Sequence, residues 1–263
     1  MTLPPDFGLP TQMFPDLPLE AALARLQPLT RLVEIDSFGY HTVLSPRNRK
    51  IAAASGSRFT VHGPYGPDIL PGSPDEHLRC AAVATHRRHL EASAEIGAAL
   101  YVVHPDYVEP PGPHDAAVVA ALQRTIADLE EAQRLAGVRV AVENLPGVGS
   151  SHFVAPGDLD LGELGLVLDT GHAAISGTLG AFLRDPHARL AHVHLHDNRG
   201  PVDGDDPHAA LGSGVVDVEA VLAAARAAGA LIILEHLDEP SALASIAYLD
   251  TAGLCGEARP QLG

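Results

Sequence analysis

The chain has 263 residues, 46% of them hydrophobic, with a formal charge of −16 and 15 histidines. That length suits one eight-fold α/β barrel domain over residues 1–263, and no run approaches the roughly 18 apolar residues of a membrane helix. The charge repels phosphate backbones, and 4% aromatics with no tryptophan leave little to stack on bases, so a nucleic acid partner is disfavoured and a membrane partner is not expected.

The N-terminal MTLPPDFGLP lacks the basic and then apolar stretch of a secretory signal, so a cytoplasmic location is expected by default. Along the chain, short β-rich runs alternate with alanine-rich helical stretches, the pattern of repeated βα units around a parallel sheet. A strand over Phe7–Met13 leads to a helix opened by Pro18-Leu19-Glu20, and strands follow at Arg31–Phe38 and Arg58–Tyr65. Ser73-Pro74-Asp75-Glu76 caps a long helix before a strand at Ala99–His104, and Asp115 to Ala136 shows helical spacing before Val138–Asn144. The last three strands are expected at Leu164–Thr170, Leu190–Asp197 and Ala230–His236. Ala136-Gly137 and Ala228-Gly229 end helices as left-handed caps would. The Gly-, Pro- and Asp-rich loops at 63–74, 105–113, 146–160 and 198–214 all follow strands, so a (β/α)₈ barrel would gather them on its catalytic face.

Strand alternation then orients the polar residues. In Val140-Ala141-Val142-Glu143 the valines face the helices and Glu143 faces the axis; the same reading turns His62, His104, Asp169, His194 and Glu235 inward at their strand ends. Burying so many ionisable groups together is costly unless cations neutralise them. Asp169-Thr-Gly-His172 adds a ligand type just past its strand, and Asp206-Pro-His208 adds two more. Cys80 and Cys255 lie far apart, so an ion here takes nitrogen and oxygen ligands; zinc or manganese is expected, one to three ions in all.

Each piece also has a plainer reading. A lone buried histidine is more often a hydrogen-bonded structural residue, and it is the repetition over six strands that points to metal. His77, His86, His89, His114 and His187 read as solvated, and His192 as a deeper core or supporting residue; His152, His196 and His236 stay open. Arg47-Asn48-Arg49-Lys50 reads as a solvated helix face.

The segments VHGPY (61–65), VVHP (102–105), VENLPG (142–147), LDTGHA (168–173), HVHLHDNRG (192–200), DPHAALGSGVVD (206–217) and ILEH (233–236) together resemble the xylose isomerase-like TIM barrels. That superfamily includes sugar-phosphate isomerases and epimerases and the endonuclease IV group, also called AP endonuclease family 2. The resemblance implies that His62, His104, Glu143, Asp169, His172, His194, Asp206, His208 and Glu235 hold metal ions. Tyr65 and the full ligand set fit the endonuclease pattern, whereas HGPYGPDI, HPDY and HLHDNRG depart from it. HLHDN, LGSG and VVD are similar to the isomerase and epimerase branch. The preferred expectation is therefore a divalent-metal-dependent sugar or sugar-phosphate isomerase or epimerase, with Glu143 and Glu235 exchanging protons beside a metal-bound carbonyl through an ene-diolate. The alternative is a trinuclear-zinc phosphodiesterase acting on abasic DNA, with Arg47, Arg49 and Lys50 as its basic patch. A minor alternative is a non-catalytic, metal-dependent sugar-binding barrel. The alanine-rich outer helices leave room for a homo-oligomer.

Overall fold

A computed structural model describes residues 2–105, 116–147, 151–184, 189–202 and 205–255. His114, His187, Asp115 and parts of the loops expected at 105–113, 146–160 and 198–214 lie outside the described residues. Eight parallel strands close on themselves in chain order. They are β1 (Phe7–Pro10), β2 (Leu32–Asp36), β3 (Arg58–His62), β4 (Leu100–Val103), β5 (Arg139–Glu143), β6 (Gly165–Asp169), β7 (Leu190–Leu195) and β8 (Leu231–Leu234). Each is shorter than its apolar run, because the run's final residues leave the ladder to begin a functional loop.

The helices are α1 (Leu19–Leu26), α2 (Pro46–Ala54), α3 (Glu76–Glu95), α4 (Ala116–Ala136), α5 (Thr170–Ile175), α6 (Leu179–Arg184), α7 (Val218–Ala228) and α8 (Glu239–Thr251). Their starts follow ordinary capping chemistry: Asp75, Asp217 and Asp238 each accept a backbone N–H from the first turn of α3, α7 and α8. Gly137 and Gly229 take positive φ after α4 and α7, as the Ala-Gly pairs predict. Among the described residues no helix is long and apolar enough to cross a membrane.

Two apolar regions divide the work. Outward side chains such as Phe59, Val61, Val140, Val142, Leu168, Val193 and Leu195 pack against the helices in one large core. Inside the barrel, Leu100, Val102, Ala141, Val167 and Ala191 form a separate apolar plug. Toward the C-terminal ends of the strands the interior turns polar, with Glu34, Glu143, Asp169 and His194 all buried. A register shift between Leu166 and Val167 skips one residue of β7, so that Val167 pairs with His192 and Asp169 with His194.

Two histidines depart from expectation. His86 and His89 are buried in α3, not solvated, on the stripe that also carries Arg79, Ala82, Leu90 and Ser93. The His86 ring meets the Tyr101 hydroxyl at 3.0 Å, and His89 Nδ1 donates to the Thr85 carbonyl at 2.9 Å. Burial drives the His86 pKa down to about 3, which keeps the ring neutral. On α2, Arg49 is spoken for: it binds Glu95 at 2.6 Å and the Val43 and Leu44 carbonyls at 2.9 Å each.

Candidate metal centre

The C-terminal ends of the strands converge on Glu143, the last residue of β5. Its Oε2 lies 3.3 Å from His62 Nε2 of β3, 3.2 Å from His104 Nε2 just after β4, and 3.4 Å from His194 Nδ1 of β7. His194 Nδ1 is in turn 3.3 Å from Glu235 Oε2 and 4.0 Å from Asp169 Oδ2. Two ligand groups thus share Glu143: His62–His104–Glu143, and Glu143–Asp169–His194–Glu235.

Below them sits a floor that the sequence reading did not include. Glu34 of β2 is buried, its Oε2 accepting from His192 Nε2 at 2.9 Å and Thr60 Oγ1 at 2.8 Å. Its Oε1 lies 2.9 Å from His194 Nε2, off the line of a good hydrogen bond. Asp36, one pleat higher on β2, joins the cleft wall with Gln12 and Tyr65. The Tyr65 ring stacks on His104 with centroids 4.4 Å apart.

Several imidazoles are oriented by an acceptor behind them. His62 Nδ1 donates to the Gly63 carbonyl at 2.9 Å and His172 Nδ1 to the Asn144 carbonyl at 2.9 Å. His208 Nδ1 donates to the Asp206 carbonyl at 3.1 Å. A carbonyl can only accept, so each of these rings carries a proton on Nδ1 and turns Nε2 to the cleft as the atom that would meet an ion. An outer acceptor that sets the tautomer is the usual support for a metal-ligating histidine.

The donor set fits a divalent ion. Glu143 Oε2, Glu235 Oε2 and His194 Nδ1 are buried without hydrogen-bond partners although they stand within 3.4 Å of one another's neighbours. Two ligands on one tetrahedral ion with bonds of about 2.0–2.1 Å are roughly 3.3 Å apart, which is the spacing seen. Without a cation the cluster must balance its charge with protons. Burial disfavours the charged form of His62, but the bond and charge of Glu143 outweigh it and lift its pKa to about 9. Burial, reinforced by the Asp169 and Glu143 charges, pushes Glu235 up to about 8 against the opposing pull of His194. For Glu143 burial is the largest influence and acts upward, yet His194 and His104 together hold its carboxyl well below the usual range.

The loop after β7 carries Asp206 and His208, and Asp197 folds it back. Asp197 and Ala209 exchange backbone hydrogen bonds at 3.0 and 2.9 Å, and the Asp197 carboxylate accepts from the Asn198, Gly214 and Val216 amides. His208 takes φ +48°, uncommon for a residue with a Cβ, and its carbonyl accepts from His236 Nδ1 at 2.8 Å. His172 is set by α5: Asp169 caps that helix by accepting from the His172 amide at 2.6 Å, and His172 Nε2 then faces Asp206 Oδ2 at 3.4 Å.

All nine residues expected as ligands fall in groups that could hold an ion at this end of the barrel. His192 lies one pleat deeper, hydrogen-bonded to Glu34, and His236 supports the His208 carbonyl. The sequence reading missed Glu34 and Asp36 and left His196 open, although Leu32-Val33-Glu34-Ile35-Asp36 has the same alternation that revealed Glu143.

A family model described as "Xylose isomerase-like TIM barrel" matches residues 34–252. The chain is 30% identical to "Uncharacterized protein MJ1614" of Methanocaldococcus jannaschii, covering 80% of this chain and 83% of that protein. It is 32% identical to "Probable endonuclease 4" of Mycobacterium ulcerans, covering 74% of this chain and 80% of that one. A solved structure of a D-tagatose 3-epimerase-like protein superposes with a TM-score of 0.80 at 25% identity, over 93% of this chain and 96% of the other.

Proposed function

The chain belongs to the xylose isomerase-like TIM barrel family, and from that premise we propose that it is a divalent-metal-dependent sugar isomerase or epimerase. The observation that carries the reading is the pair Glu143 and Glu235. Both lie beside His194 Nδ1, at 3.4 and 3.3 Å, and in the metal-free protein their surroundings drive their pKa values apart, one well down and the other up to about 8. Two carboxylates brought to one site can divide proton removal and proton return between them. An ion held by Glu143, Asp169, His194 and Glu235 would lend Lewis acidity to a substrate carbonyl and its neighbouring hydroxyl. Glu143 takes the proton from the carbon beside that carbonyl, and Glu235 returns one. His62 and His104 keep Glu143 ionised, Glu34 holds His194 in place, and Tyr65 closes over His104 to limit water.

The cleft itself favours an uncharged, polyhydroxylated substrate. It encloses about 170 Å³ and is lined by Gln12, Asp36, Tyr65 and the ligand-type residues, with no Lys or Arg among the described residues. A phosphate group would meet carboxylates there with no countercharge but the ions. On α2, Arg49 is engaged by Glu95.

The test is solvent-deuterium incorporation beside the carbonyl across a panel of ketoses and aldoses, using zinc- and manganese-loaded protein. Exchange that disappears in Glu143→Gln and Glu235→Gln is expected. A second reading, phosphodiester cleavage, draws on the 32% identity to a protein named probable endonuclease 4 and on the third ligand group beside Asp206. Chelator-sensitive cleavage of an abasic-site oligonucleotide, with no deuterium uptake into any sugar, would replace the first reading with the second.

A further inference from the structure

We propose that Asp36, with Gln12 and Tyr65 beside it, recognises the hydroxyls at the end of the sugar remote from its carbonyl, so that the protein takes free sugars and turns away forms deoxygenated or phosphorylated at that end. The inference rests on the isomerase or epimerase reading of the same cleft. In a closed barrel of eight strands in chain order, β2 stands opposite β6. The groups offered to the ion in that reading, Glu143, Asp169, His194 and Glu235, lie at the ends of β5 to β8. A carbonyl held there leaves the rest of the sugar to run toward β1, β2 and β3, where Gln12, Asp36 and Tyr65 line the cleft.

The backbone of this wall is pinned. Asp36 ends β2 on the same inward face as the buried Glu34 and pairs in the ladder with His62 of β3. Its amide donates to the Thr11 hydroxyl at 3.0 Å, and its carbonyl accepts from the Phe38 amide at 2.8 Å. Thr11 opens the turn Thr11–Met13 that carries Gln12, so one hydroxyl sets that turn against the end of β2. The Tyr65 ring meets Phe38 edge-on at 4.9 Å and stacks on His104. The side-chain polar groups, by contrast, are unmet. Asp36 Oδ1 is buried without a hydrogen-bond partner, and among the described residues neither the Gln12 amide nor the Tyr65 hydroxyl makes a hydrogen bond. A carboxyl oxygen accepts in either ionic state, while an amide and a phenol each donate and accept, which together complement a run of hydroxyls. A buried polar atom without a partner costs stability, so a hydroxyl arriving in the cleft restores what folding left unmade. A phosphate at this end would face Asp36 with no Lys or Arg in the lining among the described residues.

Full-length, zinc-loaded protein would be titrated calorimetrically with the D-ketohexoses, with their forms lacking the terminal hydroxyl, and with their terminal phosphate esters. Wild type is expected to bind a ketohexose about tenfold or more tightly than its deoxy form, the loss set by one unmet buried group, and more tightly than its phosphate ester. Asp36→Ala should bind the ketohexose and its deoxy form alike, with zinc per chain unchanged by elemental mass spectrometry. Asp36→Asn, nearly isosteric and therefore the safer fold, should weaken the ketohexose and leave the deoxy form as it was. Equal binding of the two forms by wild type, a preference that persists in both variants, tighter binding of the phosphate ester, zinc lost from either variant, or no binding of any ketohexose overturns the assignment. Failure of the isomerase reading would show differently, as no deuterium exchange by wild type into any sugar while the binding preference and its loss in Asp36→Ala both stand.

Discussion

Replacing Glu34 by Gln tests whether the floor of the barrel supports the ions above it. The change is nearly isosteric and exchanges one carboxylate oxygen for an NH2 group. The amide can settle with its nitrogen toward His192, whose Nδ1 has no partner and can take the ring proton, while the Thr60 hydroxyl turns to accept. His194 then keeps an oxygen at the position now 2.9 Å from Nε2, but a neutral one. His194 Nε2 makes no good hydrogen bond to this oxygen, so what is lost is attraction to a buried charge, and a loss near tenfold in affinity, about 1.4 kcal/mol, is expected. That is the lower end of the 10–100-fold cost typical of removing a group behind a metal-ligating histidine. Full burial keeps solvent from masking the loss. Chelator competition at fixed pH reads the dissociation constant, and thermal unfolding of the metal-free protein controls for stability. Zinc binding indistinguishable from wild type, in a variant with an unchanged unfolding midpoint, would refute the supporting role of Glu34.

Zinc binding to the metal-free protein is expected to release protons at neutral pH. His62 and Glu235 carry raised values of about 9 and about 8, so both are protonated below pH 8 and must deprotonate to receive a cation. Affinity should therefore climb with pH toward about 9 and then level off; an indicator dye in weakly buffered protein that shows no acidification on zinc addition would contradict this. His86 imposes a separate dependence on folding. Its pKa of about 3 lies below the 6.5 of an unfolded histidine, so the unfolded chain gains a proton that the folded one refuses. This contribution is intact above pH 6.5 and is lost as pH falls toward 3, at up to roughly 1.4 kcal/mol per pH unit. His86→Asn, which can still meet the Tyr101 hydroxyl, should flatten the fall of urea-unfolding free energy over that range; an unaltered slope would remove His86 as its source.

Most of the barrel was legible because the strands of a buried parallel sheet are short apolar runs, and because Val140 and Val142, Val193 and Leu195, and Leu168 mark the outward face beside each inward acid or imidazole. The same signal existed for Glu34, between Val33 and Ile35. It was passed over because a carboxylate in mid-strand makes sense only once His192 and His194 are known to lie across the barrel. His196 lies beyond the last ladder pair of β7, where alternation no longer says which way a side chain points. His86 and His89 share the buried stripe of α3 with Ala82, Leu90 and Ser93, and were misread because histidine was counted as polar when its neighbours' spacing was apolar. The 198–214 loop depends on Asp197 reaching forward to Gly214 and Val216, contacts that no local pattern encodes.

The acceptors behind the imidazoles are unequal in what a point mutation can do to them. Those of His62, His172 and His208 are main-chain oxygens of Gly63, Asn144 and Asp206, which survive any exchange of side chain at those positions provided the backbone stays put. Those of His192 and His196 are the carboxylates of Glu34 and Asp169, which a single codon change can delete. Drift in a lineage of this protein would therefore erode the centre unevenly, reaching the β2 and β6 side first and leaving the posture of His62 and His172 in place long after the chemistry had changed.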